Sequence, residues 1–199
     1  IVKSNITVLG KNTTINFDGA GQLGKGAVFV CVGKQITFEG IIFNNTNGPK
    51  EYGQEISGHA INLGATDKTV VNSCTFINCR AGVDGDGATN CNITNCYFNG
   101  SAEKVTNRGT KEYGTKAINL GGSTSNLLIK NNTFEGQILD GVSIASNSNN
   151  IKIINNSFTD SCYAIYFGGA ATGGAVIANN TFTRCGYCRN ASGDLIFTN

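Results

Sequence analysis

Three near-copies of one tetrapeptide decide the fold of this sequence: Asn-Asn-Thr-Phe at 131–134, Asn-Asn-Ser-Phe at 155–158 and Asn-Asn-Thr-Phe at 179–182. They recur every 24 residues. Related segments end at Phe98, Phe76 and Phe43, and two of the intervals between them are longer than the rest. The sequence therefore predicts a repeat protein with a unit of about 22 to 24 residues and two insertions.

Apolar residues stand at fixed offsets before each phenylalanine, which indicates β-strands. A period of two places alternate side chains on one side of a strand. A second strand with its own apolar centre precedes each of these, and a third short strand carries the phenylalanine itself. The residues five positions before the phenylalanines are Phe38, Val71, Ile93, Ile129, Ile153 and Ile177. The predicted inward residues of the preceding strand are Ile61, Val83, Ile118, Val142 and Ile165.

Three short strands per repeat, each stacked on its copy in the next repeat, describe an all-β fold, the right-handed parallel β-helix. We expect a single domain over residues 1–199 with seven to eight rungs, in which 5–10 is a degenerate copy of 35–40. A left-handed hexapeptide helix, a leucine-rich repeat and a β-sandwich fit the spacing less well.

Two asparagines stand three and two residues before the phenylalanine in the clearest copies. One of them suits a turn with a left-handed residue, and stacked side-chain amides can hydrogen-bond from rung to rung. The sequence leaves open which row forms the inward ladder: Asn131, Asn155 and Asn179, or Asn132, Asn156 and Asn180.

Composition excludes several classes of protein. The 27 glycines, and as many asparagines, disfavour helix bundles and coiled coils. The formal net charge is +2 without a long run of one sign, so we expect no nucleic-acid partner, and no apolar stretch is long enough for membrane insertion. Eight cysteines, an even number, favour an exported protein. We interpret the chain as a fragment of a larger extracellular, cell-surface protein.

The Asn-Asn-x-Phe units, the Ile-Thr-x-x-Gly segments and the Asn/Thr-rich turns resemble the β-helix repeats of the pectin-lyase-like superfamily. In particular they are similar to the adhesin-like surface proteins of methanogenic archaea. The resemblance covers nearly the whole chain and implies a fold, whereas function depends on particular sites.

The two insertions, at about 44–58 and 99–115, are the strongest candidates for such a site. Both lie between a phenylalanine strand and an Ile-Asn-Leu strand, and each contains Lys-Glu-Tyr-Gly. Because one short rung separates them, we expect both loops on one face, flanking the turn at 79–86. Tyrosine faces beside charged groups suit a sugar ring, although the same loops would also serve as lids over the solenoid. The predicted ligand-binding residues of this face are Lys50, Glu51, Tyr52, Arg80, Lys111, Glu112 and Tyr113.

Asp84 and Asp86 lie between the insertions, and Asn62 and Asn119 align with Asp84 on the neighbouring rungs. We expect this row to be polar, exposed and part of the binding face. No cofactor is expected, but the two carboxylates make a weak candidate for calcium ligands. The sole histidine, His59, is interpreted as a residue that precedes a strand at the mouth of the first insertion.

We interpret the cysteines as structural residues of the solenoid. Cys74 with Cys96, and Cys162 with Cys185, occupy matching positions on adjacent rungs, where stacked copies are close enough to bridge. Cys185 and Cys188 form a C-x-x-C pair that we interpret as a structural staple. The remaining three, Cys31, Cys79 and Cys91, fit buried small apolar positions.

Three functions are compatible with these features. The leading hypothesis is a non-catalytic, adhesin-like domain that binds a glycan or a partner cell surface through the insertion face. The resemblance also implies a polysaccharide lyase or glycoside hydrolase of acidic sugars, which would use Asp84, Asp86 and Arg80 or Lys111. That set matches the catalytic motifs of such enzymes only in part. The third hypothesis is a structural stalk or spacer.

Overall fold

The computed structural model describes residues 1–18, 26–46, 58–101, 115–145, 147–168, 174–185 and 195–198, and these ranges contain β-strands and no helix. No helix among the described residues is long and apolar enough to cross a membrane. In chain order the strands are β1 (Ile6–Phe17), β2 (Ala27–Val30), β3 (Ile36–Asn45), β4 (His59–Asn62), β5 (Val70–Asn72), β6 (Thr75–Ile77), β7 (Ala81–Asp86), β8 (Asn92–Thr94), β9 (Tyr97–Ser101), β10 (Lys116–Gly121), β11 (Ser125–Lys130), β12 (Thr133–Ala145), β13 (Asn149–Ile154), β14 (Ser157–Thr159), β15 (Ser161–Gly168), β16 (Ala175–Ala178), β17 (Thr181–Thr183) and β18 (Leu195–Thr198).

These strands form three parallel sheets that wrap around one core, which confirms the right-handed parallel β-helix. The opening sheet contains β5, β8, β11, β13, β16, β18 and the first halves of β1 and β3. The phenylalanine sheet contains β6, β9, β14, β17 and parts of β1, β3 and β12. The third sheet contains β2, β4, β7, β10, β15 and the second part of β12. Eight strands stack in the opening sheet, in agreement with the predicted number of rungs.

The predicted inward rows are buried and in register. Val71 pairs with Phe38 and Ile93, and Val83 pairs with Ile61 and Ile118. The phenylalanine rings form a continuous stack, with centroids 4.5 to 5.4 Å apart from Phe43 to Phe182. Burial of these aliphatic and aromatic rows is the main apolar contribution to the stability of the solenoid.

The asparagine ladder is formed by the second residue of each Asn-Asn pair. Asn155 has a φ of 56°, so it takes the left-handed turn conformation and is exposed. Asn156 is 2% exposed. Its Nδ2 donates to Asn180 Oδ1 at 2.9 Å, and its Oδ1 accepts from Asn132 Nδ2 at 3.0 Å. The left-handed residue turns the chain, which aims the next amide inward.

Cysteine thiols continue this ladder toward the N-terminal rungs. Asn132 Oδ1 accepts the backbone N–H of Cys96 at 2.9 Å, and Cys96 and Cys74 lie on adjacent rungs. Cys96 Sγ donates to Thr94 O at 3.2 Å. Both cysteines are free thiols, so the pair that the sequence places within bridging distance is not joined in this structure.

The other cysteines that the structure describes are buried or half-buried. Cys31, Cys79 and Cys91 are buried as predicted, and Cys185 is half-buried, with its Sγ donating to Phe158 O at 3.4 Å. Burial raises the pKa of Cys31 and of Cys79 to about 12, so both thiols are protonated at neutral pH and are poor nucleophiles. The Cys162 side chain and Cys188 lie outside the described residues.

Candidate functional site

The insertions begin and end at one corner of the solenoid, beside Arg80. The backbone N–H of Arg80 donates to Gly58 O at 3.0 Å, and Arg80 O accepts from the N–H of Lys116 at 2.7 Å. The first insertion therefore ends next to Arg80 on one neighbouring rung, and the second ends next to Arg80 on the other. The insertion residues predicted to bind a ligand, Lys50, Glu51, Tyr52, Lys111, Glu112 and Tyr113, lie outside the described residues.

The strands that follow this corner place two consecutive residues inward, which alters their outward face. Ala60 and Ile61 are both fully buried in the core. A Cβ at Gly82, the counterpart of Ala60 in β7, would meet Phe98 Cε1 at 2.7 Å. From β4 to β15 this position is alanine or glycine, whereas β2, at the N-terminal end of the sheet, has the partly buried Val28 there. As a result, the residues before and after the inward pair, such as His59 and Asn62, share the outward face.

Asp84 is the centre of a polar cluster on this face. Its Oδ1 accepts from Asn119 Nδ2 at 2.7 Å, and its Oδ2 lies 3.5 Å from Asn62 Nδ2 and 2.9 Å from His59 Nδ1. The prediction that this row is exposed is wrong for Asp84, which is only 7% exposed because these three side chains cover it. The interpretation of His59 was incomplete, since it is buried and contacts the carboxylate.

A second polar group lies on the following rungs of the same face. Lys116 Nζ is 3.4 Å from Asp140 Oδ2, and Asp140 is fully buried. Ser143 pairs in register with Asn119 and with Tyr166. The rings of Tyr163 and Tyr166 lie 6.2 Å apart. We call this outward face of the third sheet the polar strip; it consists of His59, Asn62, Asp84, Lys116, Asn119, Asp140, Ser143, Tyr163 and Tyr166.

Sequence reasoning missed the second half of the polar strip, although the repeat contained the signal. Alignment of 140–145 and 163–168 with 116–121 would have placed Asp140 and then Tyr163 in one row with Lys116, and Ser143 and then Tyr166 in one row with Asn119.

Asp86 is exposed at the edge of the polar strip, and its carboxylate lies over Gly121, where a Cβ would collide with it. Within the described ranges, no group of three or more His, Cys, Asp or Glu side chains is arranged to hold a metal ion. Calcium takes six to eight oxygen ligands, whereas Asn62 and Asn119 present their amide nitrogens to Asp84. The side chains as arranged do not fit calcium, and binding at Asp84 and Asp86 would require both amides to turn.

The parallel β-helix architecture defines the class of protein. The sequence matches the family described as right handed beta helix region over residues 2–199, and the chain belongs to that family. No curated protein matches the sequence significantly.

Two solved structures share the fold. The chain is similar to PfbA, a surface adhesin of Streptococcus pneumoniae, with a TM-score of 0.64 and 18% identity over 88% of this chain and 47% of PfbA. It is also similar to endo-xylogalacturonan hydrolase from Aspergillus tubingensis, with a TM-score of 0.52 and 12% identity over 96% of this chain and 65% of the hydrolase. The chain spans less than two thirds of either protein. At these identities the likeness concerns the fold alone.

Proposed function

We propose that this domain is an adhesin-like module at the cell surface that binds a glycan, without catalysis, through the polar strip and the insertions beside it. The observation that carries the proposal is the cluster in which Asp84 is held by His59, Asn62 and Asn119. The likeness of the fold to PfbA, itself a surface adhesin, supports an extracellular location. The sequence resemblance supports an origin among the surface proteins of methanogenic archaea.

The chemistry of the polar strip suits sugar hydroxyls. Carboxylates, amides and a serine hydroxyl are donors and acceptors that sugars pair with, and tyrosine rings offer an apolar surface. Because the strip is built on strands fixed by the phenylalanine stack, these groups need little reordering when a ligand binds. Tyr52 and Tyr113, the tyrosines of the insertions that the sequence predicts to bind a ligand, remain part of this proposal.

A second candidate function is a polysaccharide lyase or glycoside hydrolase of acidic sugars. It is favoured by the contact between His59 Nδ1 and Asp84 Oδ2 at 2.9 Å, because a carboxylate that orients an imidazole prepares it to act as a general base. The structural likeness to a hydrolase also agrees with this candidate.

Two assays on the same protein separate these functions. We expect retention on a glycan array, together with no release of reducing ends or unsaturated products from acidic polysaccharides, with or without calcium. Product release that Asp84→Asn abolishes would overturn the binding proposal in favour of the enzyme. A blank array with no attachment to cells would instead favour the stalk or spacer.

The double variant Tyr52→Ala/Tyr113→Ala tests the insertions, and Tyr97→Ala, on the outward face of β9 in another sheet, is its control. We expect the double variant to lose glycan binding and to keep its thermal unfolding transition. Normal binding by the double variant would remove the insertions from the site.

A further inference from the structure

We propose that Cys74 and Cys96 are a disulfide site, in which oxidation joins two neighbouring rungs at the end of the asparagine ladder. The co-reactant is a small disulfide of the class of oxidised glutathione, which is available in the oxidising compartments of exported proteins. The inference goes beyond the proposed function, since it does not depend on what the domain binds. It follows from three features of the pair: its register, its place in the ladder and the rung that it encloses.

Register brings the two cysteines together. They directly precede the paired strands β6 and β9, in which Thr75 pairs with Tyr97. The backbone N–H of Tyr97 donates to Cys74 O at 2.9 Å. Neighbouring strands of a sheet are about 4.8 Å apart, within the Cα separation of roughly 4.4 to 6.8 Å that disulfides need. The Cys96 thiol is also hydrogen-bonded to the sulfur of Cys74, so the two side chains already meet.

The pair stands where the ladder would have amides. Cys96 Sγ reaches Val71 O on the preceding rung at 3.6 Å. Further along the ladder, Asn156 Nδ2 makes the equivalent contact with Ile129 O at 3.0 Å. Because a thiol is a weak donor, the cysteines connect their rungs less strongly than the asparagines do. A covalent bond between the two sulfurs restores that connection.

Formation of the bridge is a thiol–disulfide exchange in two steps. Both thiols are buried, so a small disulfide reaches them while the domain folds or when the rung opens locally. One cysteine thiolate attacks the small disulfide, which forms a mixed disulfide and releases one small thiolate. The other cysteine then attacks the protein sulfur of the mixed disulfide and releases the second small thiolate. Two cysteines are oxidised, their protons pass to the released thiolates, and the small disulfide is reduced to two thiols.

The bridge encloses the rung at the centre of the candidate site. The chain between Cys74 and Cys96 contains β7 with Asp84, and it contains Arg80 at the corner where both insertions end. A cross-link between these positions lowers the entropy of the unfolded chain and so opposes opening of this rung. Oxidation therefore holds the short rung in place between the insertions.

Thiol mapping of the unmodified domain tests the assignment. The reduced domain is equilibrated with mixtures of reduced and oxidised glutathione, in enough urea to allow local opening, and is then alkylated in denaturant and digested. We expect mass spectrometry to find the peptides of Cys74 and Cys96 joined, and Cys31, Cys79 and Cys91 alkylated. If Cys74 and Cys96 are alkylated at every glutathione ratio, or are joined to other cysteines, the inference is overturned.

Stability measurements test what the bridge does. We expect oxidised glutathione to raise the urea midpoint of the wild-type domain and to slow amide hydrogen exchange in β7. Cys91→Ala removes a buried thiol outside the bridge, so this control should keep the oxidant-dependent shift. A midpoint of the wild-type domain that is the same with and without the bridge would overturn the inference that oxidation holds the rung.

Cys96→Asn separates the bridge from the ladder. The substitution removes one sulfur but supplies an amide beside Asn132 Oδ1, which already accepts the backbone N–H of this position at 2.9 Å. We expect Cys96→Asn to have one urea midpoint with or without oxidant, above that of Cys96→Ala, in which neither connection forms. An oxidant-dependent shift that persists in Cys96→Asn would show that the stabilising bridge lies elsewhere and would overturn the inference.

Discussion

The phenylalanine sheet and the third sheet belong to the same eight-rung solenoid. The inward row of the first repeats one residue type, whereas the outward row of the second varies from rung to rung. In the phenylalanine sheet the rings from Phe43 to Phe182 are nearly parallel, with interplanar angles of 3 to 9°. On the third sheet, one outward row changes at every rung, from His59 through Ala81, Lys116 and Asp140 to Tyr163. The difference indicates that repetition builds the scaffold and that departures from it give the face of the candidate site its varied side chains.

The largest expected loss of stability comes from the middle of the phenylalanine stack. Phe158 is fully buried, so Phe158→Ala should lower the free energy of unfolding by roughly 3 to 5 kcal/mol in urea titrations. Phe182 is 43% exposed, and Phe182→Ala is the matched control with a smaller expected loss. A loss under about 1 kcal/mol for Phe158→Ala would contradict the difference between core and surface.

The asparagine ladder should show the next largest effect. Asn156→Ala removes the amide that donates to the buried Ile129 O and that accepts from the backbone N–H of Asn132, and we expect a loss of about 2 to 3 kcal/mol in the same titration. Asn155→Gly is the control, because glycine accepts the positive φ of that turn, and it should change stability by less than about 0.5 kcal/mol. Equal, small effects of the two substitutions would argue against a stabilising contribution from the ladder.

The polar strip should separate binding from stability. Asn119→Ala removes one amide donor from Asp84, and we expect a loss of about 1 kcal/mol in unfolding free energy together with a large loss of glycan affinity. Asn126→Ala removes an exposed amide contact on another face and serves as the control for both measurements. If Asn119→Ala destabilised the domain strongly but bound glycan normally, the outward row of the third sheet would serve stability and not binding.

The smallest expected effect lies at the exposed pair of Asp160 and Arg184. The hydrogen bond from Arg184 lowers the pKa of Asp160, so the pair stabilises the folded state above the ordinary carboxyl pKa of about 4 and ceases to do so as the pH falls through the folded value. Asp160→Asn should therefore lower stability slightly at neutral pH, leave it unchanged below the folded pKa of Asp160, and so flatten the acid side of the stability profile. A loss that appears only at acid pH would contradict this sign.

The sequence was sufficient for the rows that obey a period of two. Val71, Ile93 and Ile129 are inward because each stands at the same offset before its phenylalanine, and register follows from that offset. It was insufficient for the asparagine ladder, since both members of each pair are the same residue. The positive φ of Asn155, a property of the backbone, decides that Asn156 points inward.

Departure from a period of two also explains why the sequence did not predict the contact of His59 with Asp84. A strict period of two would place His59 on the same side as Ile61, in the core. Two consecutive inward residues, Ala60 and Ile61, shift His59 to the outward face beside Asp84. The available signal was the small residue that precedes the central apolar residue in five strands of this sheet, from β4 to β15: Ala60, Gly82, Ala117, Gly141 and Ala164.

That row of small residues also determines how such a domain can diversify. Gly82 and Gly141 leave no room for a methyl group, since its carbon would lie within 3.0 Å of the Phe98 or Phe158 ring. Inherited change is therefore confined to the outward positions on either side of the inward pair. Because each rung presents its own outward residues, a lineage can exchange those of one rung while the neighbouring rungs keep theirs. Stepwise substitution can then change this face one rung at a time while the phenylalanine stack that carries the fold is kept.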